Sequence, residues 1–375
     1  MRVGVPKEVK TDENRVGLVP ASVRELVHHG HAVVVESGAG RGIGFSDDDY
    51  RQEGASVAGT ADEVFGQADL IVKVKEPQSD EIKRLTSRHI LFTYLHLAPD
   101  PAQAKGLMAS GCAAIAYETV TDERGGLPLL TPMSEVAGRM AIQVAAHCLE
   151  KRQGGLGVLL GGVPGVPPAK VVILGGGVSG TNAARMAMGL EAAVVVIDKS
   201  LRRLYDLDLQ FGSKLMTVFS TREAVERHVL DADAVIGAVL VPGAAAPRLV
   251  TAGMVKRMRK GSVLVDISID QGGCFETSRA TTHEKPTYVV DGVVHYAVAN
   301  MPGAVPRTST FALNNATLPF VLALAARGLG ALAEHEHFGR HLRAGLNVHR
   351  GRITHPAVAE ALKLDYVEPT RALDR

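Results

Sequence analysis

The sequence predicts an α/β protein of two doubly wound domains joined by two long helices, with the active site in the cleft between the domains. Three observations lead there. Strand-like apolar runs alternate with helix-like periodic stretches along the whole chain, the pattern of βαβ units and parallel sheets. Two segments repeat one another: Gln67-Ala68-Asp69-Leu70-Ile71-Val72-Lys73-Val74-Lys75 and Asp231-Ala232-Asp233-Ala234-Val235-Ile236-Gly237-Ala238-Val239 each read as an acidic helix end, Ala-Asp, then a buried strand. A glycine-rich turn links the apolar run 170–174 to a helical stretch. The 375 residues fit two domains at ~100–200 residues each.

The elements follow in order. Short strands at 3–5 and 32–35 flank a helix near 22–29. The glycine loop 38–44 reads as a plain turn, since no strand-to-helix frame surrounds it. Residues 82–97 read as helix, turn, strand, and so do 255–270; laid on each other, the strands 90–95 and 263–268 coincide. That superposition puts Lys75 and His96 near strand carboxyl ends of one sheet and Asp270 in the same kind of place in the other, where open α/β sheets bind ligands. A long helix spans 131–152, with Thr131 as N-cap, Pro132 at its first position and Val136, Met140, Val144 and Leu149 on its apolar face. A Gly/Pro-rich connector covers 154–168, and a second long helix covers 310–327. The two helices bracket the middle of the chain. The first domain is therefore discontinuous, 1–130 plus 306–375, and 131–305 forms the second, dinucleotide-binding domain.

Composition narrows the function. Lys plus Arg is 41 against 40 for Asp plus Glu, a net charge of +1, so no electrostatic case for nucleic acid or an anionic membrane arises. Aromatic residues make up 4% and Trp is absent, which argues against a stacking platform for single strands. Cys112, Cys148 and Cys274 are far apart and odd in number, so neither a disulfide framework nor a zinc spacing emerges and a reducing cytoplasm fits. The first ten residues are charged and lack a signal-peptide core. No apolar run reaches ~18 residues without a charged or polar break, so no membrane span is expected.

The strongest motif is Gly175-Gly176-Gly177-Val178-Ser179-Gly180. It follows the strand 170–174, opens a helix, and is followed by the strand 194–197 ending in Asp198. This is G-x-G-x-x-G in its full Rossmann-like context. Gly175 permits the tight turn, Gly177 lets the backbone approach a pyrophosphate, and Gly180 lets helix and strand pack closely. The pyrophosphate would sit on the helix N-terminus. Asp198 stands where a carboxylate binds ribose hydroxyls, which favours NAD over NADP; Lys199, Arg202 and Arg203 weigh the other way, or are exposed charges or contacts to the adenosine end.

Other residues carry chemistry less sharply. Arg15 could clamp a small carboxylate bidentately, although spacing alone reads it as a surface arginine. Lys75 is either a solvated strand end or a substrate contact. His96 suits proton transfer near neutral pH or sits as a satisfied histidine at the core edge. Asp270 follows an apolar strand and precedes Gln271-Gly272-Gly273, a context that favours function, while Asp266 on the same strand could be structural. Asn300-Met301-Pro302-Gly303 is a strand-to-loop transition, compatible with a ligand contact or a plain turn. His335, His337 and His341 read as a solvated face, so no metal site is expected.

With these residues in hand the chain resembles the alanine dehydrogenase family, which shares a superfamily with the alpha subunit of pyridine nucleotide transhydrogenase. The likeness covers essentially the whole length and is densest over 2–20, 69–100, 128–200 and 231–320. It rests on Gly4-Val5-Pro6-Lys7-Glu8, Asn14-Arg15-Val16, Lys73-Val74-Lys75-Glu76-Pro77, Thr93-Tyr94-Leu95-His96 and Met133-Ser134-Glu135-Val136-Ala137-Gly138. The glycine loop, Ile269-Asp270-Gln271-Gly272-Gly273-Cys274 and Ala299-Asn300-Met301-Pro302-Gly303-Ala304-Val305 complete it. The resemblance implies NAD-dependent, reversible oxidative deamination of L-alanine to pyruvate and ammonia by a cytoplasmic homohexamer. It implies that Arg15, Lys75 and Asn300 hold the substrate and that His96 and Asp270 transfer protons. It assigns cofactor contacts to Ser134, Gly175, Gly177, Val178, Gly180, Asp198, Arg203, Ser220, Val239, Leu240, Ile267, Arg279, Val298 and Met301. Alternatives are the soluble NAD-binding subunit of a transhydrogenase, a related amino acid dehydrogenase, or an NAD-binding sensor. The chain departs from the family pattern at Ser179, Glu191, Ala297 and the stretch 332–344.

Overall fold

The computed structural model describes residues 1–239 and 246–374. It forms two compact units, Met1–Met133 with Val305–Arg375, and Ser134–Ala304. The first boundary falls inside the first turn of the helix Thr131–Cys148, and the second falls just before the helix Pro306–Arg327. In chain order the strands are β1 (Arg2–Val5), β2 (Ala32–Glu36), β3 (Ser56–Ala58), β4 (Leu70–Val72), β5 (Ile90–Thr93), β6 (Ala113–Ala116), β7 (Lys170–Leu174), β8 (Ala193–Asp198), β9 (Met216–Phe219), β10 (Ala234–Gly237), β11 (Val263–Asp266), β12 (Thr287–Val290), β13 (Val293–Tyr296), β14 (Leu346–His349) and β15 (Arg352–Ile353).

The first unit carries one sheet in the order β15-β14-β6-β5-β4-β1-β2-β3, and the second carries β12-β13-β11-β10-β7-β8-β9. Strands β1 to β6 pair in parallel, and β14 and β15 are added antiparallel beyond β6. In the second sheet only β12 runs antiparallel. Alternate residues of one strand enter different cores: Leu70 and Val72 one, Ile71 the other. Val171 and Ile173 divide from Val172 and Leu174 in the same way. A sheet covered on both faces explains why these runs are apolar throughout rather than alternating. Each fully buried Val, Leu or Ile contributes ~1.5–3 kcal/mol.

The long helices differ from expectation at their ends. The first stops at Cys148, short of Arg152, and the Thr131 hydroxyl donates backward to the Leu127 carbonyl instead of capping. Gly138 in this helix lies against the next helix, Val178–Gly189, where a Cβ would come 2.1 Å from the Ser179 carbonyl oxygen. The second helix starts earlier than expected, at Pro306, and carries Pro319 inside. The stretch Pro306–Leu332 is long and apolar enough to cross a membrane by length and composition alone, although charged and polar residues interrupt its apolar runs. Its Leu313, Val321, Leu324 and Leu332 lie in the core of the first unit. Asn314, also buried there, accepts from the Val19 N–H (2.8 Å) and donates to the Gly17 carbonyl (3.1 Å), tying down the loop that follows β1.

Candidate active site

In the first unit the residues 6–19 after β1 build a charged, largely buried floor. Lys73 is completely buried between Glu8 (3.0 Å) and Glu81 (2.7 Å). Burial alone would lower the Lys73 pKa; the two carboxylates reverse that and hold it charged. Glu8 is pushed up by burial, against the pull of Lys73. Both directions are compatible because two carboxylates share one ammonium. Glu8 also accepts from the Val74 N–H (2.7 Å), so this cluster fixes the turn that delivers Lys75.

Arg15 is not a surface residue: it is 2% exposed. Its Nε and Nη2 donate to the two oxygens of Glu13 at 2.7 and 2.6 Å, and Nη1 faces the Met133 sulfur at 3.1 Å. The glycine loop 38–44, which contains the 3-10 turn Arg41–Ile43, backs this segment: a Cβ on Gly42 would sit 2.5 Å from the Asn14 carbonyl oxygen. Lys75 lies half-buried in the loop after β4. Burial and then the Arg15 charge push its pKa below the ordinary value, with Lys10 acting in the same direction against Glu76 and Glu13. A buried, electrostatically strained pair of cations is a site that an anion would relieve.

His96 stands just past β5, exposed, with its ring stacked on Tyr94 at 5.8 Å and 8°. Tyr94 is fixed by donating to the Leu129 carbonyl at 2.6 Å. The His96 backbone is left-handed, φ 48°, a conformation that costs a non-glycine residue ~1–3 kcal/mol and is maintained only by surrounding contacts. Those contacts come from Glu118, which the sequence reading overlooked. No local motif marks it; only the pairing of β5 beside β6 brings it to His96.

In the second unit the glycine loop has the geometry its motif anticipates. Gly175 has φ 99°, and a Cβ there would meet the Ala238 carbonyl oxygen at 2.7 Å. A Cβ on Gly180 would lie 1.8 Å from the Gly175 carbonyl oxygen. Gly177 is different, with ordinary φ and nothing within 4 Å of a Cβ. Among the described residues nothing requires glycine at 177, so the open space fits a pyrophosphate approaching the start of the helix Val178–Gly189. Val178 is exposed beside it. Asp198 accepts from Gly176 N–H (2.7 Å) and Ser200 N–H (2.8 Å), leaving acceptor capacity for a hydroxyl. Arg203 braces the loop by donating to the Gly176 carbonyl and the Thr181 hydroxyl, both at 2.5 Å. Ser220 lies alongside, its N–H donating to the Asp198 carbonyl (3.0 Å).

Asp270 is exposed in the short 3-10 turn Ile267–Gln271, since β11 ends four residues before it. Asp266 is the structural acid: buried, it accepts from Ser278 Oγ (2.5 Å), Cys274 N–H (2.9 Å) and Ser268 N–H (3.1 Å) and so shapes the turn. Burial pushes its pKa up against those hydrogen bonds. Ile267 and Val239 are half-buried, and the Val239 carbonyl accepts from Ser268 Oγ. Leu240 lies outside the described residues. Arg279 is exposed, its guanidinium 4.3 Å from the centre of the Tyr288 ring. Asn300 has φ 60° and its carbonyl is 3.2 Å from His283 Nε2. Val298 and Met301 have buried side chains, so what they can offer a ligand is main chain. Ser134 is half-buried in the first turns of its helix. Of the three histidines read as a solvated face, His341 is instead buried, 3.1 Å from Thr121 Oγ1. Among the described residues no group of three metal-ligating side chains forms. A 240 Å³ groove of this unit between Met140, Cys148 and Tyr296 contains none of the anticipated site residues.

The fold and the glycine loop define a two-unit α/β protein of dinucleotide-binding type. Family models described as alanine dehydrogenase/PNT, N-terminal and C-terminal domains, match residues 4–137 and 141–356. The chain belongs to the alanine dehydrogenase/PNT family. It is 60% identical to an alanine dehydrogenase of Halomonas elongata over 98% of both chains. It is 52% identical to one of Staphylococcus haemolyticus, covering 100% of this chain and 99% of that one. A solved L-alanine dehydrogenase matches with TM-score 0.93 and 53% identity, covering 97% of this chain and 99% of that chain. A transhydrogenase from Sinorhizobium meliloti is more distant, with TM-score 0.80 and 27% identity over 95% of this chain and 100% of that one.

Proposed function

We propose that the protein is an NAD-dependent L-alanine dehydrogenase, interconverting L-alanine with pyruvate and ammonia. The observation that carries this reading is full-length likeness to alanine dehydrogenases at 60% identity. The site chemistry supports it independently. Arg15 and Lys75 supply two cations for a small carboxylate, and burial, then the Arg15 charge, lowers the Lys75 pKa before an anion arrives. Asn300 orients the substrate from the second unit. Bound NAD would supply the hydride-acceptor chemistry for the α-carbon. The glycine loop from Gly175 and Asp198 hold its pyrophosphate and ribose. Ser134, Val178, Arg203, Ser220, Val239, Leu240, Ile267, Arg279, Val298 and Met301 contribute the remaining cofactor contacts. His96 and Asp270 move protons as water adds and ammonia leaves, and polarise the pyruvate carbonyl in reverse. The reading requires both residues to serve one substrate. The assembly is a homohexamer acting in the cytoplasm, which light scattering of the purified protein tests.

The deciding assay is NADH absorbance on mixing protein, NAD and L-alanine at alkaline pH, repeated with D-alanine, other L-amino acids and NADP. A signal for L-alanine with NAD is expected. NAD binding without turnover on any amino acid would move the assignment to the transhydrogenase-like or NAD-sensing reading.

A further inference from the structure

We propose that Glu118 is the positioning residue for His96, acting through the backbone turn that carries the imidazole. The inference rests on the reading of His96 as a proton-transferring group. The Glu118 carboxylate accepts from the His96 N–H at 2.6 Å, and both of its oxygens lie 3.2 Å from the Leu95 nitrogen. Two successive main-chain donors are thus gripped by one side chain from the neighbouring strand end. Oε1 of the same carboxylate is 3.9 Å from His96 Nδ1, so a fixed negative charge also stands beside the ring.

The clamp has a rigid base. Glu118 lies in the 3-10 turn Tyr117–Thr119 that follows β6, and β6 pairs with β5 up to Thr93 against Ala116. Tyr117 is fully buried and packs edge-on to Phe92 (4.4 Å) and Tyr94 (5.1 Å). Thr119 accepts from the side-chain amide of Asn347 at 2.7 Å. Glu118 itself is 17% exposed, so its hydrogen bonds compete little with water. His355 lies within its field: burial lowers that histidine's pKa and Glu118 raises it in opposition. Without the carboxylate, His96 can leave the left-handed region for extended backbone, which swings the imidazole away from its present direction. Displacements of about 1 Å in a reacting group lower rates on the order of 10²-fold.

The test compares Glu118→Ala, Glu118→Gln, Glu118→Asp and His96→Ala in the full-length protein, measuring kcat, KM for pyruvate, NAD affinity by fluorescence and thermal midpoint. For Glu118→Ala the expected result is a kcat loss on the order of 10²-fold with KM and NAD affinity nearly unchanged. Aspartate should recover part of that loss. Glutamine removes the charge at nearly constant shape. It should lower kcat by less than alanine does, because its single amide oxygen can still accept from one of the two main-chain N–H groups. A folded Glu118→Ala protein with kcat near the parent's overturns the inference. So does a glutamine variant whose kcat equals the parent's while only its thermal midpoint falls. If Glu118→Ala does not fold, the glutamine and aspartate variants decide. Full activity of His96→Ala would overturn the reading of His96 itself, an outcome distinct from failure of the clamp.

Discussion

In the first unit the chain spends residues 6–19 travelling from β1 to the next helix; in the second, residues 175–177 suffice to leave β7. Yet the six parallel strands follow one order in both, β3-β2-β1-β4-β5-β6 and β9-β8-β7-β10-β11-β13. Right-handed crossovers and burial on both faces set that shared order. The connection after the first strand sets the chemistry. The short glycine turn leaves free N–H groups at a helix N-terminus, suited to a phosphate. The long loop fills the same place with Glu8, Glu13 and Arg15, buried and paired. On the proposed reading, one architecture serves as a dinucleotide cradle in one copy and a carboxylate clamp in the other.

The sharpest way to separate the two copies is Arg15→Ala. It removes the guanidinium paired with the buried Glu13 carboxylate, and breaking such a buried pair costs about 3–5 kcal/mol. Urea unfolding should show that loss together with abolished turnover, while the folded fraction retains NAD binding. Loss of NAD affinity would break the division of labour.

The second comparison lies within the glycine loop. Gly180→Ala should lower both stability and NAD affinity, since its Cβ would collide with the Gly175 carbonyl. The expected destabilisation is about 1–3 kcal/mol, the usual range for overpacking. Gly177→Ala meets nothing among the described residues and should leave the thermal midpoint nearly unchanged while weakening NAD binding. Equal affinity loss with no stability difference between the two variants would refute these separate roles.

A third prediction concerns Lys75. Its proton is held less tightly in the folded protein than in the unfolded chain. The resulting stability penalty is therefore present below the lowered pKa and is relieved as pH rises from that value toward the ordinary 10.5. Pyruvate affinity should run the opposite way, falling over the same window as the ammonium is lost. Calorimetric titration across alkaline pH reads this, and Lys75→Gln should flatten the dependence.

The smallest effect is expected at Glu191, which departs from the family pattern and has φ 62°. Glycine there would remove ~1–2 kcal/mol of left-handed strain and give back roughly 0.5–1 kcal/mol in chain entropy. A small rise in thermal midpoint with unchanged kinetics is the expected outcome.

Much of this molecule was legible before any coordinates. The repeat of Gln67 to Lys75 in Asp231 to Val239 correctly paired β4 with β10, because buried parallel strands must be apolar and must follow a helix end. The glycine spacing was readable because left-handed turns and close approaches exclude side chains at particular positions. Charge partners were not readable. Arg15 looked like a surface residue, and only folding placed Glu13 around its guanidinium. Lys73 and Lys75 are two residues apart in one string, yet one is completely buried between carboxylates and the other half-buried beside Arg15. Glu118 became a neighbour of His96 solely through the pairing of β5 with β6. Local periodicity and glycine chemistry act between residues close in the chain, and so they are written in it. Electrostatic partnership acts through space, and the packed sheets alone decide which charges meet.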